Sequence, residues 1–150
     1  MDMKIDFDND ILVEYYNDVT EDTRYIRETV FVLEQGFSEE FDEIDKKSIH
    51  LLAKVNNKRA ATARIFKSDN SNAKWTIGRF AVLKEYRGIG LGSFLVKKVE
   101  EKIKEQGGRT AELSAQKQAE KFYLSSGYIP MGDIYYDQHA PHIHMEKIID

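Results

Sequence analysis

The sequence predicts an α/β protein built on a sheet of about six or seven strands. Segments rich in β-branched and aromatic residues alternate with segments in which apolar residues recur every three or four positions. The 150 residues include 41% hydrophobic and 32% charged side chains. That composition and length indicate one globular domain over residues 1–150.

The first third of the chain predicts one strand and one helix. Residues 11–16 are β-rich and end at Asn17-Asp18, which is a turn signal. Thr20 is typical of a helix cap, and apolar residues then recur at helical spacing until Gly36. The acidic stretch at 38–47 is interpreted as a solvated loop.

The rest of the chain predicts six more strands and two helices. The strands are residues 49–55, 59–66, 74–83, 110–115, 128–135 and 142–148. The first two of these are joined by Asn56-Asn57-Lys58, which suits a hairpin turn. One helix buries Leu91, Leu95, Val99 and Ile103 on one face and stops at Gly107-Gly108. A short helix at 118–125 is ended by Gly127.

The composition excludes several classes of protein. The 22 basic and 26 acidic residues give a net charge of −4 without a basic block, so nucleic acid is not an expected partner. The absence of cysteine excludes a disulfide framework, a thiolate metal site and a cysteine nucleophile, and it fits a cytoplasmic location. No apolar run is long enough for a membrane span or a signal peptide.

The most informative segment is Arg-Gly-Ile-Gly-Leu-Gly at residues 87–92, between a predicted strand and a predicted helix. Glycines let successive backbone N–H groups converge at the positive end of the helix, which is a site for an anion and most naturally for phosphate. The segment lacks the Gly-Lys-Ser/Thr ending of a P-loop and the glycine spacing of a dinucleotide fingerprint. Nucleotide hydrolysis and hydride transfer are therefore disfavoured. A tight connection without a ligand is the structural alternative.

Two motifs resemble the GNAT acetyltransferases. Arg87, Gly90 and Gly92 fill the family's Gln/Arg-x-x-Gly-x-Gly/Ala signature, and the segment 119–128 is similar to its Ala-x-x-x-Tyr-x-x-x-Gly-Phe motif. The resemblance extends over about residues 48–130 and implies a mixed, mainly antiparallel central sheet flanked by helices. The segments 30–35 and 142–145 resemble the ElaA-like branch of small N-acetyltransferases.

The resemblance implies transfer of the acetyl group of acetyl-CoA, the donor cosubstrate, to a primary amine by direct attack in a ternary complex. Pantetheine would pair with the strand ending at Val82 as an added strand does, and the pyrophosphate would lie on the glycine-rich turn. The implied cofactor contacts are Phe80, Ala81, Val82, Arg87, Gly88, Ile89, Gly90, Leu91, Gly92 and Gln116. Gln116 stands where many members have the shorter Asn, which puts its contact in question.

Tyr123 is implied as the general acid that protonates the CoA thiolate, because a phenol keeps its proton at neutral pH. A helix tyrosine packed on the sheet is the alternative. The sequence leaves the general base open among Glu34, Glu112, Asp137, His139 and His142.

Substrate-side contacts are predicted for Glu34, Arg79, Glu112 and His142. Arg79 suits a substrate carboxylate, and an ordinary ion pair is an equal alternative. The acceptor is predicted to be a small-molecule or peptide amine, and a homodimer is compatible with the sequence.

His139, His142 and His144 place three of the four histidines within six residues, a spacing that suits zinc or nickel. No acidic ligand is fixed by the spacing and acetyl transfer needs no metal, so we expect no metal and assign the cluster to a substrate-pocket rim. A non-catalytic acyl-CoA sensor and a His-rich metal-binding protein are the competing functions.

Overall fold

A computed structural model describes residues 5–38, 41–68 and 73–149. Its seven strands are β1 (Ile11–Tyr16), β2 (Ile49–Val55), β3 (Lys58–Lys67), β4 (Lys74–Val82), β5 (Thr110–Gln116), β6 (Ile129–Asp137) and β7 (Ala140–Ile148). The α-helices are α1 (Glu21–Arg27), α2 (Leu91–Glu105) and α3 (Glu120–Ser125). The sheet order is β1-β2-β3-β4-β5-β7-β6. The α/β prediction and the number of strands are confirmed.

The described residues divide into two compact units, one within Met1–Arg64 and Arg79–Lys98, the other within Ile65–Gly78 and Val99–Asp150. In the first unit, β1 pairs antiparallel with β2. In the second, β4 pairs in parallel with β5 from Lys74 to Ile77. There β5 pairs antiparallel with β7, which pairs antiparallel with β6.

The first helix of the first unit changes its hydrogen-bonding pattern part-way. Thr20 caps α1, as the sequence predicts, and the structure adds a capping box between Thr20 and Thr23. After Arg27 the chain continues as a π-helix over Glu28–Glu34, which has wider turns than an α-helix. Glu34 is the last residue of this π-helix. The apolar spacing predicts the helix and its end near Gly36 but not this change in pitch.

The prediction of a solvated loop at 38–47 is wrong for its second half. Residues 39 and 40 lie outside the described part of the chain, and Glu43–Lys47 form a 3-10 helix capped by Asp42. Asp45 is 3% exposed and bonds Arg27 and Arg64. A carboxylate with two arginine partners can be buried, and the acidic composition of the stretch does not reveal those distant partners.

The second unit has a core on one side of β5 and β7. Ala111, Leu113 and Ala115 alternate inward along β5, as does Met145 on β7. Helix α3 is shorter than predicted because residues 117–119 form a 3-10 turn, and β7 begins two residues earlier, at Ala140. Strand β6 is exposed at all nine positions and ends the sheet.

Helix α2 has the predicted apolar face. Leu91, Leu95, Val99 and Ile103 are each at most 1% exposed. A Cβ at Gly108 would lie 2.5 Å from side-chain atoms of Ile103 and Trp75. Glycine is therefore required after this helix for packing as well as for ending it.

Candidate functional site

The glycine-rich turn in the first unit has the backbone of an anion site. Gly88 and Gly90 have φ values of +80° and +88°, which side-chain-bearing residues rarely adopt. The Gly90 carbonyl accepts the N–H of Phe94 at 3.1 Å, so the first N–H groups of α2 follow directly after Gly90. The first turn of α2 has no acidic residue to neutralise them. These features favour a negatively charged ligand at this end of the helix.

Arg87 joins this turn to the π-helix through an exposed ion pair. Its two terminal nitrogens donate to the Glu34 carboxylate at 2.6 and 2.8 Å, and its Nε donates to the Val82 carbonyl at 2.9 Å. The two charged side chains are 39% and 37% exposed. Hydrogen bonding to Arg87 lowers the pKa of the Glu34 carboxyl. Arg87, predicted as a cofactor contact, is therefore paired with Glu34, predicted as a substrate contact.

The end of β4 carries the residues predicted to line the pantetheine arm. Ala81 is buried at 3% exposure, while Phe80 and Val82 are half-buried. Arg79 just before them has a φ of +47°, a strained backbone for a residue other than glycine. Its guanidinium lies 3.3 Å from Asp42, so the ion pair that the sequence allows is present.

Tyr123 lies in the second unit, on α3, and is 8% exposed. Its ring packs edge-on against Phe122 and Tyr128, with centroids 5.0 and 5.9 Å away. Burial raises the pKa of the Tyr123 hydroxyl above its ordinary value. The hydroxyl is therefore protonated at neutral pH, and the packing also fits the structural alternative.

Gln116 and His142 are directly opposite each other on β5 and β7. The Gln116 side-chain oxygen accepts the Gln118 amide at 2.5 Å, so this longer side chain bends back to its own turn. His142 is 6% exposed and stacks on Tyr135 at 6.0 Å. Its Nδ1 lies 3.0 Å from the Ala140 carbonyl, which can only accept, so Nδ1 carries a hydrogen.

The other predicted polar residues fall into two places in the second unit. Glu112 joins His144 and Glu146, whose ligand atoms all lie within 4.8 Å of one another. Asp137 and His139 are exposed at the hairpin between β6 and β7. Within the described ranges, the group of side chains that could hold a metal contains His144 but neither His139 nor His142. The three histidines therefore do not form a common ligand set.

Comparisons with known proteins show the family to which the chain belongs. The family model described as "Acetyltransferase (GNAT) domain" matches residues 17–149. The chain belongs to the GNAT acetyltransferase family. It is 33% identical to the uncharacterized N-acetyltransferase YjcF of Bacillus subtilis, over 84% of this chain and 90% of that protein.

The GNAT chain is also 33% identical to protein ElaA of Escherichia coli, over 81% of this chain and 82% of that protein. The crystal structure of Escherichia coli ElaA superposes with a TM-score of 0.80, covering 91% of this chain and 99% of that one. These two results support the ElaA-like branch. An aminoglycoside 6'-N-acetyltransferase complexed with coenzyme A shares the fold at 14% identity and a TM-score of 0.73, covering 93% and 97% of the two chains.

Sequence motifs locate the GNAT turn and Tyr123 but not the partners of the charged residues. The pairing of Glu34 with Arg87 spans 53 residues, and that of Glu112 with His144 joins two strands. Glu146 was missed, although it is two residues after His144 and so shares its face of β7. The described helices include none that is long and apolar enough to span a membrane.

Proposed function

We propose that this GNAT protein transfers the acetyl group of acetyl-CoA to a primary amine by direct attack. The observation that carries the proposal is the glycine-rich turn, with positive φ at Gly88 and Gly90 and a helix that begins directly after it. This turn has the shape and charge to bind the CoA pyrophosphate. The aminoglycoside acetyltransferase of the same fold, which was solved with coenzyme A, supports the choice of ligand.

The donor would be held by two parts of the first unit. Backbone N–H groups of residues 87–92 bind the phosphates, and the Arg87 guanidinium adds positive charge beside them. The pantetheine amides pair with backbone groups of Phe80 and Val82 in the manner of an added strand. The Val82 carbonyl also accepts the Arg87 Nε at 2.9 Å, which places the guanidinium beside this end of β4.

The reaction needs one bond to form and one to break. The amine nitrogen attacks the thioester carbonyl carbon, the C–S bond breaks, and the sulfur takes a proton as it leaves. A base or a water molecule takes the proton lost by the nitrogen. Since the chain has no cysteine, no acetyl-cysteine intermediate forms.

Tyr123 is proposed as the acid for the leaving sulfur. Its burial keeps the hydroxyl protonated, which a proton donor requires at neutral pH. The same burial makes the hydroxyl a weaker acid, so it gives up its proton when negative charge has developed on the sulfur. We therefore expect its contribution at the lower end of the range for general acids.

Among the base candidates we favour His142. Hydrogen bonding to Arg87 lowers the pKa of Glu34, which makes its carboxylate a poor proton acceptor. His142 in contrast has a hydrogen on Nδ1, so in the neutral ring the lone pair is on Nε2. The acceptor remains a primary amine of a small molecule or peptide in this proposal.

A non-catalytic acyl-CoA sensor is the second candidate, favoured by the close packing of Tyr123 against Phe122 and Tyr128. Replacing Tyr123 with Phe separates the two functions. Release of free thiol from acetyl-CoA with a panel of primary amines should fall by roughly 10². Acetyl-CoA affinity and thermal stability should change little, since the ring remains.

The matched control is Tyr128→Phe, which removes another buried tyrosine hydroxyl of the same unit. That hydroxyl donates to Glu100 at 2.9 Å, so its loss should lower stability and leave turnover intact. If the wild-type protein binds acetyl-CoA but releases no thiol with any amine of the panel, the protein is the non-catalytic sensor. Full turnover by Tyr123→Phe would remove Tyr123 from the mechanism and leave acetyl transfer standing.

A further inference from the structure

The histidine-rich segment acquires carboxylate neighbours in the fold. Glu112 on β5 and Glu146 on β7 are register partners, so their side chains start from adjacent positions on the sheet. His144 is two residues before Glu146 and therefore lies on the same face. One imidazole and two carboxylates from two strands thus share one face of the second unit.

The three donor groups lie close together, with their ligand atoms all within 4.8 Å of one another. His144 Nε2 lies 3.2 Å from Glu112 Oε1 and 2.9 Å from Glu146 Oε2. Neighbouring ligands of one ion are about 3.0 to 3.4 Å apart when the metal–ligand bonds are about 2.1 Å long. The distances from His144 are close to that range without any movement of the strands.

Further residues fix the orientation of both carboxylates. Ser68 donates to Glu112 Oε2 at 2.5 Å, which leaves Oε1 as the oxygen facing His144. Lys74 Nζ lies 3.2 Å from each oxygen of the Glu146 carboxylate, including the Oε2 that faces His144. Hydrogen bonds from outside the ligand set orient metal ligands in this way.

The charge of the cluster is also unbalanced. Two carboxylates face one ammonium group, so a cation can be accommodated. The side chains of Glu112, His144 and Glu146 are 17%, 35% and 24% exposed, which leaves room for water as a further ligand.

We propose that Glu112, His144 and Glu146 bind one divalent first-row transition ion, for which Zn²⁺ is the probe. Imidazole nitrogen with carboxylate oxygen is a donor set that such ions accept, and three protein ligands leave positions for water. The ion would cross-link β5 to β7. The site differs from a His139, His142 and His144 set, and the proposal does not rest on acetyl transfer.

Calorimetric titration of Zn²⁺ into the protein, prepared without a histidine tag and treated with chelator, tests the proposal. Wild type should bind one ion per chain and gain thermal stability. His144→Gln and Glu112→Gln should each weaken binding roughly 100-fold, because a neutral amide replaces an imidazole nitrogen or a charged carboxylate in the ligand set. His139→Gln, at the exposed hairpin, is the matched control and should bind as wild type does.

Lys74→Gln sharpens the test, because it removes the ammonium group that competes with the ion for Glu146. Binding should tighten several-fold in this variant, whereas the loss of a merely structural contact would not strengthen it. No binding by wild type would overturn the proposal. Equal binding by wild type and His144→Gln, with circular dichroism showing both folded, would also overturn it.

Discussion

Two arginine–carboxylate sites in the first unit use the same chemical groups in opposite surroundings. Arg27, Asp45 and Arg64 meet with side chains 1%, 5% and 4% exposed. Arg87 and Glu34 meet with side chains more than a third exposed. A buried charge must keep its partners, because water cannot replace them, whereas an exposed pair can exchange partners with solvent or a ligand. We therefore assign the first site to structure and propose the second as a binding element.

The buried site ties three segments of the first unit together. Asp45 Oδ1 accepts Arg27 at 2.8 Å and Arg64 at 2.9 Å. Arg64 also donates to Asp42 at 2.6 Å, at the start of the 3-10 helix. The Arg27 guanidinium lies 4.6 Å from the Phe41 ring centroid. This cluster holds the acidic segment against α1 and β3.

The largest difference between the two sites should appear in stability. Asp45→Asn leaves two buried guanidinium groups facing an uncharged side chain, and we expect a loss of about 3–5 kcal/mol in the free energy of unfolding. Glu34→Gln makes the matched change at the exposed pair and should cost about 0–1 kcal/mol. Urea unfolding measures both. Equal losses in the two variants would show that burial does not distinguish the sites.

The same comparison predicts a response to acid. Burial alone would raise the pKa of Asp45, but hydrogen bonds from Arg27, the Asp42 backbone and Arg64 outweigh it and lower the pKa from 3.8 to about 2. A lowered pKa contributes stability above the unfolded value, and that contribution is lost as the pH falls from about 4 through 2.

The shift corresponds to roughly 2 kcal/mol of stability. Unfolding free energies measured between pH 5 and pH 2 should therefore fall more steeply for wild type than for Asp45→Asn. Glu34→Gln should keep the wild-type slope, because the exposed pair contributes little. Parallel slopes for wild type and Asp45→Asn would contradict the assigned role of Asp45.

Local patterns were sufficient to predict most elements and the glycine-rich turn. The spacing of Leu91, Leu95, Val99 and Ile103 defines the buried face of α2, and the glycines at 88 and 90 identify the turn before it. Each of these signals lies within a few residues of sequence. The pitch of helices and sheets converts such spacing directly into one face or one turn.

Long-range pairing could not be predicted in the same way. Residues 38–47 contain several acids, and nothing in their composition indicates that Asp45 is buried against Arg27 and Arg64. The sequence likewise gives no carboxylate ligands for His144, because Glu112 becomes its neighbour through pairing of β5 with β7. Strand register must be known before such partners can be named.

The smallest expected effect concerns ligand affinity at the exposed pair. If Arg87 serves the CoA phosphates, Glu34 competes with them for its positive charge. Arg87→Gln should weaken coenzyme A binding about tenfold through the loss of charge-assisted hydrogen bonds. Glu34→Gln should tighten it by no more than about fivefold, the value of an exposed ion pair. Calorimetry with coenzyme A at two salt concentrations measures both changes, and added salt should reduce them.

The double variant Arg87→Gln with Glu34→Gln shows whether Glu34 acts by competing with the ligand for Arg87. Without Arg87 there is no charge for Glu34 to neutralise, so Glu34→Gln should bring no gain in affinity in the Arg87→Gln background. An equal gain in both backgrounds would mean that Glu34 repels the ligand directly. Unchanged coenzyme A affinity in Arg87→Gln would mean that the backbone N–H groups at the start of α2 hold the phosphates without this side chain, and that the Arg87–Glu34 pair is not a binding element.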